Sequence, residues 1–164
     1  MMKAILERVT RRARDGMIEA DELIAQEARE NGVLHMGCGE GALIVDELND
    51  LAMYAIGVDD NAKRIRQAML RGRGLERVEF ICRPLEATGL SGSTFDFVFG
   101  YGLASRVGAI AEAHRLLRHG GVFVDVEINA RSIDFEIVSK FFSTVETRRF
   151  GIVSRVTIFR AVKS

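Results

Sequence analysis

Three glycines on alternate positions, Gly37, Gly39 and Gly41, stand directly after the apolar run Val33-Leu34-His35-Met36, with Cys38 and Glu40 between them. An amphipathic run of Ala42, Leu43, Ile44, Val45 and Leu48 follows at once. That order predicts a buried strand, a tight loop and a helix. Glycines in such a loop permit positive φ and let a ligand lie against bare backbone, while the helix start turns unpaired N–H groups toward it. Asp59 ends the next predicted strand, at the spacing where a carboxylate takes the two hydroxyls of a ribose. Hydrogen bonds to such a charged group contribute ~1.5–3 kcal/mol each. Loop and carboxylate together point to an adenosine-type ligand without saying which. With Ala42 the loop also fits the dinucleotide pattern G-x-G-x-x-G/A, which keeps a nicotinamide-linked oxidoreductase open. The plainest alternative is a glycine turn and a helix-capping aspartate with no ligand at all.

The elements that must hold these residues follow from the rest of the chain. Its 164 residues suit one domain, with residues 1–31 as N-terminal helices and 32–164 as the core. Net charge is zero, so neither nucleic acid nor an anionic membrane is an expected partner. No apolar run is long enough to span a bilayer, and the N-terminus lacks the uninterrupted apolar core of a signal peptide. Cys38 and Cys82 are too few for a disulfide scaffold or a zinc site, so free thiols in a reducing cytoplasm are expected. No His/Cys/Asp cluster has metal-ligand spacing.

Met2, Ile5, Leu6 and Val9 make a stripe at helical spacing, ringed by Lys3, Arg8, Arg11, Arg12 and Arg14. The reading is a solvated basic face on a packed helix; a lid or a patch for an anionic partner is the alternative. Asp15-Gly16 is expected to break that helix, and a second runs from about Glu19 to Glu30 with Leu23, Ile24 and Ala28 inward. Strands are expected at Val33–Met36, Tyr54–Asp59, Val78–Cys82, Phe95–Phe99 and Val122–Ile128. Helices are expected between them, at about Glu40–Asn49, at Ala62–Arg71 with Ile65, Ala68 and Met69 buried, and from Val107 to a stop at His119-Gly120-Gly121. Strand and helix in alternation predict a parallel sheet covered on both faces. The end differs: a helix carrying Ile133, Ile137, Val138, Phe141 and Phe142 precedes strands Thr144–Phe150 and Val153–Val162, joined so closely that only an antiparallel hairpin fits. His114 reads as packing on an apolar helix face and His119 as a helix-end residue near the negative end of the dipole.

The runs VLHMGCGEG, GVDDNAKRIRQA, VEFICRPLEA, STFDFVFGYGLAS and AHRLLRHGGVFV resemble the successive motifs of class I S-adenosylmethionine-dependent methyltransferases, and most closely the small type 11 methyltransferase domain. The resemblance covers Gly32 to the C-terminus. It implies a doubly wound, mostly parallel seven-stranded sheet with an antiparallel C-terminal strand, and S-adenosyl-L-methionine as cofactor. It implies that Gly37, Gly39 and Gly41, with Cys38 between them, line the methionine part, and that Asp59 holds the ribose while Asp60 and Asn61 flank the adenine. Pro84, Leu85 and Glu86 would fall beside the adenine edge, and Gly100 and Tyr101 would face the sulfonium and methyl group.

Two departures stand out. His35 occupies a position where the family usually has an acid that orients the methionine amine. It could serve as a neutral acceptor, carry a repelling positive charge, or be a core histidine with a satisfied hydrogen bond. Arg83-Pro84 stands where an Asp commonly bonds the adenine amino group, and proline offers neither N–H nor side-chain acceptor. Methyl transfer needs in-line positioning more than a fixed base, so Tyr101 is the candidate catalytic residue only as a hydrogen-bond donor or an aromatic wall. Ser105, Arg106, Asn129 and Arg131 are candidates for the substrate mouth. No Asn-Pro-Pro-Tyr-like stretch follows strand four. The implied function is methyl transfer to a small-molecule or macromolecular acceptor. The alternative is a catalytically silent cofactor-binding module or regulatory subunit. A short chain leaves the site open, which suits a large substrate, a lid from a second copy, or a partner subunit.

Overall fold

Gly32, Val33, Leu34, His35 and Met36 leave no solvent-facing side along β1 (Gly32–Met36), and all five are buried. A strand covered on both faces belongs inside a parallel sheet. β1 pairs in parallel with β2 (Tyr54–Asp59) on one side and β4 (Phe95–Tyr101) on the other. The computed structural model describes residues 16–150 and 156–164. β3 (Val78–Cys82) extends the sheet beyond β2, and β5 (Leu117–Ile128) beyond β4, both in parallel. β6 (Thr144–Phe150) and β7 (Val156–Val162) complete seven strands in the order β3-β2-β1-β4-β5-β7-β6. β7 runs antiparallel to both its neighbours. The sheet is thus the doubly wound, mostly parallel one expected. The chain winds outward from β1 to β3, then returns across β1 to β4, so the change of direction falls between β1 and β4, the place where sheets of this kind bind ligands at their C-terminal ends.

Two apolar layers flank the sheet. On one face α1 (residues 16–28), the turn after the glycine loop and α2 (Ala62–Arg71) bury Ala20, Ile24, Ala28, Ile44, Leu48, Ile65 and Ala68 against Val33, Phe97, Phe99 and Val124. On the other, α3 (Val107–Leu116) and α4 (Ser132–Phe141) pack Ile110, Ala113, Ile137 and Val138 on Leu34, Met36, Val98 and Phe123. Two ion pairs tie α1 to the far strands: Glu19 to Arg148 of β6 and Glu27 to Arg160 of β7, each at 2.7 Å. The basic stripe around Met2–Val9, and Asp15, lie outside the described residues. Gly16 is the first described residue and belongs to α1, and the break expected at Asp15-Gly16 lies at the edge of the described residues.

Boundaries moved where glycine or alternation misled. α3 ends at Leu116, and Leu117 starts β5, which therefore takes in the expected stop at His119-Gly120-Gly121. Gly120 has φ +77°, and the pairing shifts register between Phe95 and Phe97, so the strand absorbs an irregularity there instead of beginning after it. His119 is consequently an exposed strand residue, not a helix end. Met69, expected inside, is 52% exposed. The helix after the loop starts at residue 42 and widens over Ile44–Leu48, where the Asn49 N–H reaches the Ile44 carbonyl, five residues back, at 2.8 Å. His114 packs as expected, edge-on to Phe142 at 5.2 Å between ring centres.

Glu112 on α3 binds the loop between β3 and β4. It accepts from Thr88 N (3.0 Å) and Thr88 Oγ1 (2.7 Å) and pairs bidentately with Arg115 (2.7 and 2.8 Å). The guanidinium holds its carboxyl down at about 2. Removing it strands the Thr88 donors. Glu112→Ala should lower unfolding free energy by ~1–3 kcal/mol at neutral pH. Because the folded pKa is depressed, this contribution is complete above the ordinary glutamate range and vanishes as pH falls toward about 2; denaturant melts across that range check it. Gly41 has φ +76°, and a Cβ there would stand 2.6 Å from Phe80 Cζ and 3.0 Å from Ala68 Cβ. Gly41→Ala should cost ~1–3 kcal/mol through strain and overpacking, read as a lowered denaturant midpoint.

Candidate functional site

The glycine loop is folded back on β2. The Val58 carbonyl accepts two amides, Gly37 N at 2.7 Å and Cys38 N at 3.0 Å, and Gly41 N bonds the Cys38 carbonyl at 3.0 Å. Gly37, Gly39 and Gly41 have φ of +79°, +56° and +76°. They differ in what surrounds them. A Cβ on Gly41 meets the Phe80 ring; one on Gly39 meets nothing within 4 Å, and one on Gly37 only Leu85, at 3.8 Å. Gly41 is therefore a packing glycine, and Gly37 and Gly39 border open space. Gly57 serves the same corner from β2, since a Cβ there would press on Phe80 and on Cys38 Sγ, each within 3 Å.

Asp59 is 4% exposed and turned into this corner. Its Oδ2 accepts from Gly39 N and its Oδ1 from Asn61 N, both at 2.9 Å. One carboxylate thus joins the glycine loop to the start of α2. A carboxylate has about four acceptor positions, so each oxygen retains capacity after these bonds. Asn61 caps α2 through Oδ1, taking Lys63 N at 3.0 Å and Arg64 N at 3.2 Å; it and Asp60 are exposed at the rim. Cys38 is buried, and burial together with Asp59 pushes its thiol up to about 12, so it is an inert wall and not a nucleophile.

His35 is 4% exposed, and neither ring nitrogen has a hydrogen-bond partner among the described residues. Its ring stacks on Phe99 at 4.2 Å and sits 6.0 Å from that of Tyr101. Burial lowers its pKa to about 3, against the opposing pull of Asp59, so it is neutral. Of the three sequence readings, burial disfavours the charged one, and among the described residues nothing supplies the hydrogen bond of a satisfied core histidine; a neutral imidazole stands there.

Gly100 is buried beside Met36, whose carbonyl oxygen would lie 2.7 Å from a Cβ at Gly100. Tyr101, 37% exposed, ends β4 and donates its hydroxyl to Asp21 Oδ1 of α1 at 3.3 Å. Burial and the neighbouring acids raise the tyrosine pKa, which keeps it protonated. After β3, Leu85 is buried against the glycine loop while Pro84 and Glu86 are exposed. Glu86 is already committed to Arg106, whose Nε lies 3.0 Å away. Ser105 and Asn129 lie exposed beyond the ends of β4 and β5, and Arg131 gives its backbone N–H to Asp134 at 2.7 Å.

Two residues on β5 escaped the sequence reading. Asp125, fully buried, accepts from Leu103 N at 3.1 Å and Ala104 N at 2.7 Å, and Glu127 accepts from Ala104 N at 2.9 Å. Both pKa values are raised, chiefly by burial and for Asp125 also by Glu127. They anchor the loop that follows Tyr101. Their signal was the alternation Val-Asp-Val-Glu in an interior strand.

Solved structures share this architecture. The N-methyltransferase NodS from Bradyrhizobium japonicum, in complex with S-adenosyl-L-homocysteine, aligns with a TM-score of 0.75 at 14% identity, over 90% of this chain and 87% of NodS. A TehB-like S-adenosylmethionine-dependent methyltransferase from Corynebacterium glutamicum aligns at 0.72 and 19%, over 88% and 86%. The [4+2]-cyclase SpnF aligns at 0.66 and 20% over 79% of this chain, which spans only 58% of SpnF. Such identities speak for the fold alone. No curated protein sequence matches the chain. A family model for the methyltransferase domain matches residues 33–121, more than half of the sequence, from the first core residue of β1 through the glycine corner and Asp59 into β5. On that match, the chain belongs to the methyltransferase domain family.

Proposed function

We propose that the protein is an S-adenosylmethionine-dependent methyltransferase acting on an acceptor that enters over the ends of β4 and β5. The observation that carries this reading is the meeting of Asp59 with the amide of Gly39, beside glycines whose open sides a Cβ would not fill. Both carboxylate oxygens are oriented by backbone donors and still accept, which fits a pair of ribose hydroxyls. Gly37 and Gly39 give bare backbone to the methionine portion. Asp60 and Asn61 border the adenine, with Leu85 as an apolar wall and Pro84 and Glu86 at its edge. Because Glu86 is tied to Arg106, adenine recognition rests on backbone groups more than on that side chain.

When bound, the cofactor supplies a methyl group on a positively charged sulfur, open to in-line displacement. The chain's part is alignment. Gly100, whose open side is taken by Leu103 and the Met36 carbonyl, serves packing at the end of β4, and the protonated Tyr101, held by Asp21, offers an aromatic face to positive charge without acting as a base. Among the described residues no helix is long and apolar enough to cross a membrane, which accords with an acceptor met in water; a cytoplasmic setting and a second copy covering the open mouth complete the proposal.

A second reading, cofactor binding without turnover, is favoured by His35 and Pro84 standing where the family's motifs carry acids. Calorimetry with S-adenosylhomocysteine decides the first question: no binding at millimolar ligand overturns both readings. Binding without methylation of any acceptor in candidate extracts favours the silent module. Asp59→Ala, checked for folding by thermal melt, should weaken S-adenosylhomocysteine binding ~10-fold or more through loss of charge-assisted bonds. Unchanged affinity would remove Asp59 from the ribose.

A further inference from the structure

S-adenosylmethionine and S-adenosylhomocysteine both end in an α-amino acid, and an ammonium group taken out of water needs acceptors. We infer, resting on the cofactor reading above, that Asp21 of α1 and the unpaired ring of His35 together form the seat for that ammonium group. Three observations converge. His35 is 4% exposed and leaves both ring nitrogens without a partner among the described residues. A buried polar group in that state costs ~1–3 kcal/mol, which a ligand donor would recover. As a neutral imidazole it has one acceptor nitrogen to offer.

The second observation is the pairing along α1. Glu19 and Glu27 each have an arginine, Arg148 and Arg160. Asp21, half-buried on the same helix, has no cation among the described residues. Its described hydrogen bond comes from neutral Tyr101 to Oδ1 at 3.3 Å, which leaves Oδ2 unused. Third, the two groups share a neighbour: the Tyr101 ring that bonds Asp21 stands 6.0 Å from the His35 ring, and Glu47 adds further negative charge to Tyr101. Among the described residues, a half-buried carboxylate without a counter-ion, joined through Tyr101 to a buried imidazole without a partner, is complementary to a cationic donor. The acid that the family's motif carries in β1 is thereby supplied from α1, across the sequence.

The test compares two probes on the full chain by calorimetry: S-adenosylhomocysteine, and 5′-deoxy-5′-methylthioadenosine, which keeps the adenosine and sulfur but lacks the amino acid. Neither carries the sulfonium, so they differ in the amino-acid end: the ammonium, the carboxylate and the short carbon chain that bears them. Asp21→Asn should weaken S-adenosylhomocysteine binding by about tenfold or more and leave methylthioadenosine binding unchanged. His35→Leu, which fills the ring's place with apolar volume, should show the same split. Parent-like S-adenosylhomocysteine affinity in both variants overturns the inference, and so does equal loss of both probes, which marks a structural role. In either case the parent still binds both probes; if the parent binds neither, it is the cofactor reading that has failed.

Discussion

The double acceptance at Val58 is the constraint on which the site depends. One carbonyl at the end of β2 takes two successive amides from the loop leaving β1. That forces the chain to turn within two residues, which requires the positive φ of Gly37 and brings Gly39 N onto Asp59. The loop's shape is therefore written jointly by two strands. β1 and β2 are in parallel register, with Met36 opposite Val58, so the loop of one and the carboxylate of the other reach the same height. A slip by one residue would turn Asp59 to the other face of the sheet.

The two faces of the site are held by different physics. Below the glycine loop the contacts are apolar and close: Phe80 fills the space left by Gly41, Gly57 and Gly72. Below the loop after β4 they are polar: Asp125 and Glu127 collect the amides of Leu103 and Ala104. Two buried carboxyls side by side favour one shared proton over two charges, so the pair anchors the loop with a single negative charge rather than two. The side under the glycine loop is thus shaped by sterics and the side after β4 by hydrogen bonding.

Most of this frame was legible in the residues. α2, β3 and β6 fall within the expected bounds because each has a sharp local signal: the Asn61 cap, the alternation around Glu79, the polar alternation of an edge strand. Asp59 was legible because its chemistry is tied to a strand end. What was not legible depended on partners far along the chain. Gly120 reads as a helix stop, yet the pairing of Leu117 with Phe95 draws the preceding residues into β5. Asp125 and Glu127 look like the solvent side of a strand until the loop above supplies buried amides. The bond between Asp21 and Tyr101 spans 80 positions and leaves no local trace. That His35 has no hydrogen-bond partner among the described residues could not be read at all, since pairing is a property of the packed state.

The position of β7 has a consequence for assembly. The strand made last does not lie at the rim; it is inserted between β5 and β6, and four of its first five residues are buried. Until it emerges during synthesis, β5 presents an unpaired backbone edge and β6 has no neighbour to join. Closure of the sheet is therefore the final event, and the nascent chain must carry a gap that a foreign strand could enter. Chaperone demand and susceptibility to truncation should both concentrate in those closing residues.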